Sequence, residues 1–269
     1  MTLTQAHLDN MVDNSIDSEA NRYCDIIPYK STVVQVSGDS DKEKYINANY
    51  IYTTFPYRSS NYYIATQGPL NQTFDNFWKM IWEHESRVII MLCKLKEVNR
   101  PKCDQYWPIG KQKYGQITVE NLGEKNGKDK EITIRMFKLT KEGQNNELQV
   151  EQIHWEGWPD HGVPENTQAL QELAVKAAQD FQNNLKPTLH CSAGVGRTGT
   201  LLSCTFSYIE LKKIYENIKN DAQIHKEQKQ EEFLKQQLNM FDIVRKLREQ
   251  RTLMVQTKEQ FKMVQGYFM

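Results

Sequence analysis

Apolar and polar positions alternate from Tyr45 to Ile51 (YINANYI), the two-residue period of a half-buried strand, and the stretch from Lys44 to Gln67 predicts strands broken by turns. From Thr73 to Glu85 the period changes. Phe74, Phe77, Trp78, Ile81 and Trp82 recur at three and four, which predicts a helix with one buried face. Arg87 to Leu95 is rich in apolar and β-branched residues and predicts a buried strand. Lys111 to Leu139 predicts a hairpin around Asn121 to Lys130, with alternation resuming at Ile132, Ile134 and Met136. Gln149 to Trp155 predicts a strand that runs into a Pro/Gly loop, Gly157 to Pro164. Thr167 to Phe181 predicts an amphipathic helix, with Leu170, Leu173, Ala174, Ala177 and Phe181 on one face. A short strand follows at Thr188 to His190, then a Gly-rich loop and a helix from about Thr198. Phe233, Leu238, Phe241, Val244 and Leu247 mark a C-terminal helix packed on the core. The expected fold is α/β: one domain over residues 1–269, a central twisted mixed β-sheet flanked by helices, with residues 1–20 a peripheral segment.

Composition narrows the function. Lys plus Arg and Asp plus Glu are 34 each, so the formal net charge is zero and no global basic field for nucleic acid exists. The longest uncharged apolar run, Val88 to Cys93, is far short of the roughly 20 residues that span a bilayer, so no membrane insertion is expected. The opening MTLTQAHLDN has neither a basic n-region nor an apolar h-region. Five widely spaced cysteines, 24, 93, 103, 191 and 204, fit neither a disulfide framework nor a zinc ribbon. The six histidines are scattered and form no metal-ligand pattern. Together these features predict a reduced, cytoplasmic protein, expected as a monomer. The Lys/Gln/Glu-rich stretch from Tyr215 to Gln237 reads first as a solvated surface extension and second as a partner-docking face.

The loop at HCSAGVGRTG, residues 190–199, admits three readings. Gly194, Gly196 and Gly199 match G-x-G-x-x-G between a strand and a helix, the dinucleotide pattern. That pattern needs an acidic residue at a strand end about 20 residues on, and the chain has only the polar Glu216 to Asp221 stretch there. A buried structural cysteine beside a glycine turn is the plain reading. The third uses Cys191 and Arg197 at C-x5-R spacing. Ser192, Ala193, Gly194, Val195 and Gly196 between them can curl with their backbone N–H groups inward, a nest capped by a helix N-terminus that suits a phosphate dianion. Arg197 can fork two donors onto two phosphate oxygens. The same positive surroundings favour the thiolate form of Cys191, and a thiolate beside a bound phosphate ester can attack phosphorus.

HCSAGVGRTGT resembles the signature loop of the protein tyrosine phosphatases. NRYCDIIPY (21–29), KYINANYI (44–51), YIATQGPL (63–70), FWKMIWE (77–83), KCDQYWP (102–108), WPDHGVP (158–164) and LREQRTLMVQTKEQF (247–261) resemble the same family in the expected order, and the match covers nearly all of the chain beyond residue 20. The resemblance implies a tyrosine-specific phosphatase that acts on phosphotyrosine-containing proteins through a cysteinyl-phosphate and needs no cofactor. It implies Asp160 as the general acid, on a lid anchored by Trp158. It implies Gln256, with Gln260, for the hydrolytic water, and the Thr198 hydroxyl for the leaving thiolate. His190 with Tyr106 behind it tunes Cys191, Glu97 holds Arg197, and Lys102 meets the lid aspartate. Tyr23 stacks on the substrate ring and sets a pocket too deep for phosphoserine, and Asp25 accepts hydrogen bonds from the substrate backbone. Leu253 stands where a glycine is frequent, and Cys24 where a longer polar residue is common. The short, divergent chain is also similar to phosphatases carried by parasitoid-wasp polydnaviruses, which would place it in host-cell cytoplasm.

Other functions compete. A silent phosphotyrosine-binding module would usually lack one of Cys191, Arg197, Asp160 and Gln256, and all four are present. A dual-specificity phosphatase would lack the segment that holds Tyr23. A thiol redox enzyme needs a resolving thiol, and Cys204 lies far along the following helix.

Overall fold

The strand Thr188–His190 has neighbours on both sides and apolar cover on both faces, which is why so short a segment is fully buried. A computed structural model describes residues 4–159, 162–221 and 228–266. In chain order its elements begin with α1 (Gln5–Asp9), β1 (Val33–Gln35), α2 (Asp41–Lys44), β2 (Tyr45–Ile51), β3 (Tyr63–Thr66), α3 (Phe74–Glu83) and β4 (Val88–Met91). A two-residue pair follows, β5 (Lys96–Glu97) and β6 (Arg100–Pro101), then the long hairpins of β7 (Lys111–Tyr114), β8 (Ile117–Asn126), β9 (Ile132–Lys141) and β10 (Glu147–Trp155). The chain continues through α4 (Thr167–Gln182), β11 (Thr188–His190), α5 (Gly196–Asn220), α6 (Lys229–Leu234), α7 (Met240–Gln250) and α8 (Lys258–Gly266).

One mixed sheet runs in the order β1-β2-β3-β11-β4-β10-β9-β8-β7. Its centre is parallel, with β11 between β3 and β4 and β10 beyond β4, while both wings are antiparallel. Register decides the faces. His190 pairs with Thr66 and Leu189 with Ala65, so His190 and Leu189 point to opposite sides. On one side His190 meets Phe77 of α3, and Trp78, Tyr106 and Phe137 continue the aromatic layer. On the other, Tyr63 stacks on Phe181 of α4 at 4.7 Å and lies near Phe206 of α5. Helices therefore cover both faces, and the loop after β11 emerges at the carboxyl ends of the central parallel strands, where open α/β sheets place their ligands.

Several elements differ from the sequence expectation. β2 is buried along almost its whole length, because β1 and β3 flank it and Asn47 and Asn49 have internal partners instead of water. α5 begins two residues before Thr198, since Gly199 N–H already bonds the Val195 carbonyl. It runs to Asn220 and so takes up the first part of the polar stretch. Its buried Thr200, Ser203, Thr205 and Ser207 each donate to the carbonyl four residues back, which satisfies their hydroxyls in an apolar layer. The apolar positions from Phe233 to Leu247 do not share one helix. Phe233 sits in the separate α6 against Tyr215, and Phe241 on α7 is exposed while Val244 and Leu247 are buried. No helix among the described residues is long and apolar enough to cross a membrane.

Candidate active site

The loop from Cys191 to Gly196 is shaped by what its carbonyls bond. The Cys191 carbonyl accepts from His190 Nδ1 at 3.0 Å, and the Ser192 carbonyl from Gly68 N–H at 2.8 Å. Those of Ala193 and Gly194 accept from the Arg251 guanidinium at 3.1 and 2.9 Å. The Val195 carbonyl accepts from Gly199 N–H at 3.0 Å and Val255 N–H at 3.1 Å. Five successive carbonyls thus turn away from the loop's centre. In a planar trans peptide the next N–H points opposite the carbonyl, so the amides of residues 192–196 converge inward. Gly194 permits this: its φ is +71°, and a Cβ there would sit 2.0 Å from the Thr66 carbonyl oxygen. The α5 N-terminus adds its positive end to the same point.

Arg197, on the first turn of α5, reaches Glu97 with both Nη atoms at 2.6 Å and the Leu92 carbonyl at 3.0 Å. Burial alone would lower its pKa, but the Glu97 carboxylate and the nearby Cys191 push it above the usual arginine value. The fork is planar and held from behind. Tyr23 donates its hydroxyl to Ser192 Oγ at 2.8 Å, and Ser192 Oγ in turn donates to the Lys102 carbonyl at 2.7 Å. Tyr23, Asp25, Lys102, Cys191, Arg197, Gln256 and Gln260 line one cleft of about 390 Å³, within the size range of small-ligand sites. Arg100 also lines it.

The remaining expected residues divide. Gln260 forms a capping box at the start of α8. Thr257 Oγ1 accepts from Gln260 N–H at 3.1 Å, and Gln260 Oε1 accepts from Thr257 N–H at 3.2 Å and Gln256 N–H at 3.0 Å. Gln260 therefore fixes the backbone of Gln256, whose own side chain is exposed to the cleft. Both glutamine side chains lie beside Gly196, within 3.1–3.3 Å of where its Cβ would stand. Trp158 is buried, meets Trp155 edge-on at 5.4 Å and donates Nε1 to the Gly162 carbonyl at 3.1 Å, so it pins both arms of its loop. Asp160 lies outside the described residues. The Thr198 hydroxyl is buried and has no hydrogen-bond partner among the described residues.

Four residues have positioning roles that were not expected from the sequence. Arg251 is fully buried, has no carboxylate partner among the described residues, and is held by the Asn47 and Asn49 side-chain oxygens at 2.8 and 2.7 Å as well as by the loop carbonyls. Burial lowers its pKa to about 10. Arg22 bonds the Gly68 and Pro69 carbonyls and Asp104, and its N–H donates to Gln67, which sets the backbone on which Tyr23 stands. Leu253 and Val255 both adopt positive φ, 55° and 59°, where β-branched and bulky residues are rare, and together they bring the Val255 N–H onto the loop.

His190 is fully buried, and burial drives its imidazole to about 3, opposed by its bond to the Cys191 carbonyl. The consequence for stability has a definite sign. Above the ordinary value of 6.5 neither state holds the proton. As pH falls from there, the unfolded chain takes up a proton that the folded chain refuses, so stability drops by up to about 1.4 kcal/mol per pH unit for this one group. Burial shifts His154 and His84 the same way. Urea melts at pH 7, 6 and 5 should show a falling midpoint at constant slope, before carboxylates titrate. An unchanged midpoint across that range would contradict a neutral buried His190.

Comparison with known proteins agrees with this geometry. A protein-tyrosine phosphatase family model matches residues 17–269. The chain is 37% identical over 256 residues to human receptor-type tyrosine-protein phosphatase alpha, covering 92% of this chain and 29% of that protein. It is 38% identical over 224 residues to tyrosine-protein phosphatase 1 of Dictyostelium discoideum, covering 75% and 41%. The chain thus spans about three- to four-tenths of the length of these relatives. A solved structure described as the structural basis of the PTPN18 fingerprint on distinct HER2 tyrosine phosphorylation sites superposes with a TM-score of 0.76 at 30% identity, covering 94% of this chain and 83% of that one.

Proposed function

We propose that this chain, which belongs to the protein-tyrosine phosphatase family, hydrolyses phosphotyrosine in proteins through a cysteinyl-phosphate on Cys191. The observation behind this reading is the ring of five outward-bonded carbonyls, which leaves inward amides and the Arg197 fork around one buried thiol. In the first step Cys191 Sγ attacks phosphorus, the Sγ–P bond forms and the bond from phosphorus to the phenol oxygen breaks. Asp160 gives that oxygen its proton, a role worth roughly 10²–10⁴-fold for a positioned acid. The amides of residues 192–196 and the Arg197 guanidinium hold the transferring oxygens and stabilise their charge where it develops.

In the second step Gln256 orients a water and Asp160 takes its proton. The Sγ–P bond breaks, inorganic phosphate leaves, and the Thr198 hydroxyl donates to the departing thiolate. The unpartnered state of that buried hydroxyl suits the role. Trp158 acts as the anchor of the lid that brings Asp160 over the cleft, and Lys102 meets the lid there. Tyr23 flanks the entrance and sets a depth that a phosphotyrosyl ring spans and a phosphoseryl group does not. Asp25 at the exposed rim takes substrate backbone N–H groups. Cys24, Cys93, Cys103, Cys191 and Cys204 are all free thiols, which suits a cytoplasmic enzyme, and the narrower kinship with polydnaviral phosphatases belongs to the same proposal.

The test is phosphate release from a phosphotyrosyl peptide and its phosphoseryl twin, with reductant present. Release from the tyrosyl peptide should exceed that from the seryl one by roughly 10²-fold or more, the scale of discrimination by a shaped site. Equal rates would remove the depth argument. No release from either, with saturable phosphopeptide binding, would make the domain a binding module.

A further inference from the structure

Behind His190 a file of hydrogen bonds crosses the sheet, branching at Arg135, whose Nη1 also lies 3.3 Å from His154 Nδ1. Arg135 on β9 and Gln152 on β10 are directly paired across the two strands. Arg135 Nη1 donates to Gln152 Oε1 at 3.1 Å, and Gln152 Nε2 donates to the Tyr106 hydroxyl at 2.7 Å. The Tyr106 hydroxyl lies 2.9 Å from His190 Nε2, and His190 Nδ1 lies 3.0 Å from the Cys191 carbonyl. Gln152, Tyr106 and His190 are fully buried, so no water can substitute for a missing partner.

The inventory of donors gives this file one direction. A guanidinium only donates and a carbonyl only accepts, and between them stand three groups that can each face either way. These are an amide that can flip, a hydroxyl that can rotate and an imidazole with two tautomers. Only one arrangement satisfies every contact. Gln152 must turn its oxygen to Arg135 and its NH₂ to Tyr106. Tyr106 then spends its one hydrogen on His190 Nε2, and His190 holds its own on Nδ1, facing Cys191. The head of the file is fixed in place: Arg135 Nε bonds Glu124 at 2.8 Å and the guanidinium lies 4.7 Å from the centre of the Trp107 ring.

We propose that Arg135 and Gln152 are positioning residues that lock His190 in its Nδ1–H tautomer and thereby hold the carbonyl of Cys191 turned out of the loop. The inference rests on Cys191 as the nucleophile of the proposed reaction. Its structural half, the tautomer, stands apart from activity.

Gln152→Glu separates the cases. A carboxylate pairs well with Arg135, but it only accepts, so it claims the Tyr106 hydrogen. His190 Nε2 must then donate to the Tyr106 oxygen, which either moves the proton from Nδ1 or adds a second one. In ¹⁵N spectra of histidine-labelled protein, with His190 assigned by its loss in His190→Asn, Nε2 should read as bare in the unmutated protein and protonated in Gln152→Glu. kcat on a phosphotyrosyl peptide should fall about tenfold, the scale of one lost hydrogen bond at the nucleophile's carbonyl. Adding Tyr106→Phe removes the contested hydrogen, so the double variant should return to the rate of Tyr106→Phe alone. A protonated Nε2 in the unmutated protein would overturn the proposal even if no variant folds. So would a bare Nε2 in Gln152→Glu, or a loss that Tyr106→Phe does not lift. An inactive but correctly protonated protein would instead count against the proposed hydrolysis.

Discussion

Cys191→Ser is expected to lower kcat on a phosphotyrosyl peptide by on the order of 10⁴-fold or more, equivalent to about 5 kcal/mol of barrier, while phosphopeptide binding survives. The side chain shrinks slightly and keeps its place, because the loop is held by its carbonyls and not by the sulfur. The inward amides, the α5 N-terminus and the Arg197 fork all persist. What disappears is the sulfur nucleophile, and a serine hydroxyl is a far weaker one unless a base activates it. A serine hydroxyl brings no charge into a site built for a dianion, so affinity should hold. Phosphate release under single-turnover conditions and calorimetric binding of the same peptide check the two halves separately. A variant within tenfold of the unmutated rate would end the thiolate mechanism, and loss of binding together with rate would mean that the loop itself depends on sulfur.

The parts of this protein that were legible in the sequence are those whose cause is local. α4 shows its period because one face packs on the core and the other meets water, and Asn166 caps it by accepting from Ala169 N–H. The loop at 191–197 is contiguous, so cysteine, glycines and arginine declare themselves together. Arg251 gave no such signal. Its partners stand 57 and 58 residues away in the loop and more than 200 away on β2, and only the folded sheet brings them to one guanidinium. The alternation of β2 was visible but misread, since the same asparagines that suggested a wet face are buried against that arginine. Gln260 carries a local signal of its own: Thr257-x-x-Gln260 is a capping-box spacing that sequence alone displays, and its side-chain oxygen accepts from the Thr257 N–H at the helix start while the residue still lines the cleft. Leu253 and Val255 gave the opposite signal, because neither residue type favours the left-handed backbone that the Arg251-to-Gln256 turn adopts.

Arg197→Lys tests whether the site needs charge or shape. Lysine keeps the positive charge but presents one compact ammonium in place of a planar fork. In the folded protein the fork spans both Glu97 oxygens at 2.6 Å while also bonding the Leu92 carbonyl at 3.0 Å, and a guanidinium has five donors with which to serve substrate oxygens as well. An ammonium has three and cannot bridge Glu97 and two phosphate oxygens in one plane. If shape matters, kcat should fall about 10³-fold, or about 4 kcal/mol, with a smaller change in KM, because attraction to the dianion survives and the grip on the equatorial oxygens in the transition state does not. If charge alone matters, the loss should stay within tenfold. Glu97→Gln provides the complementary case. It keeps one acceptor for the fork, leaves Arg197 in place and removes only the carboxylate, so its loss should be the lesser of the two. Both variants disturb a pair whose side chains are 6% and 7% exposed, so each rate must be expressed per folded molecule from a thermal melt of the same sample. A lysine variant as fast as the unmutated enzyme would leave the loop amides as the whole of the phosphate site.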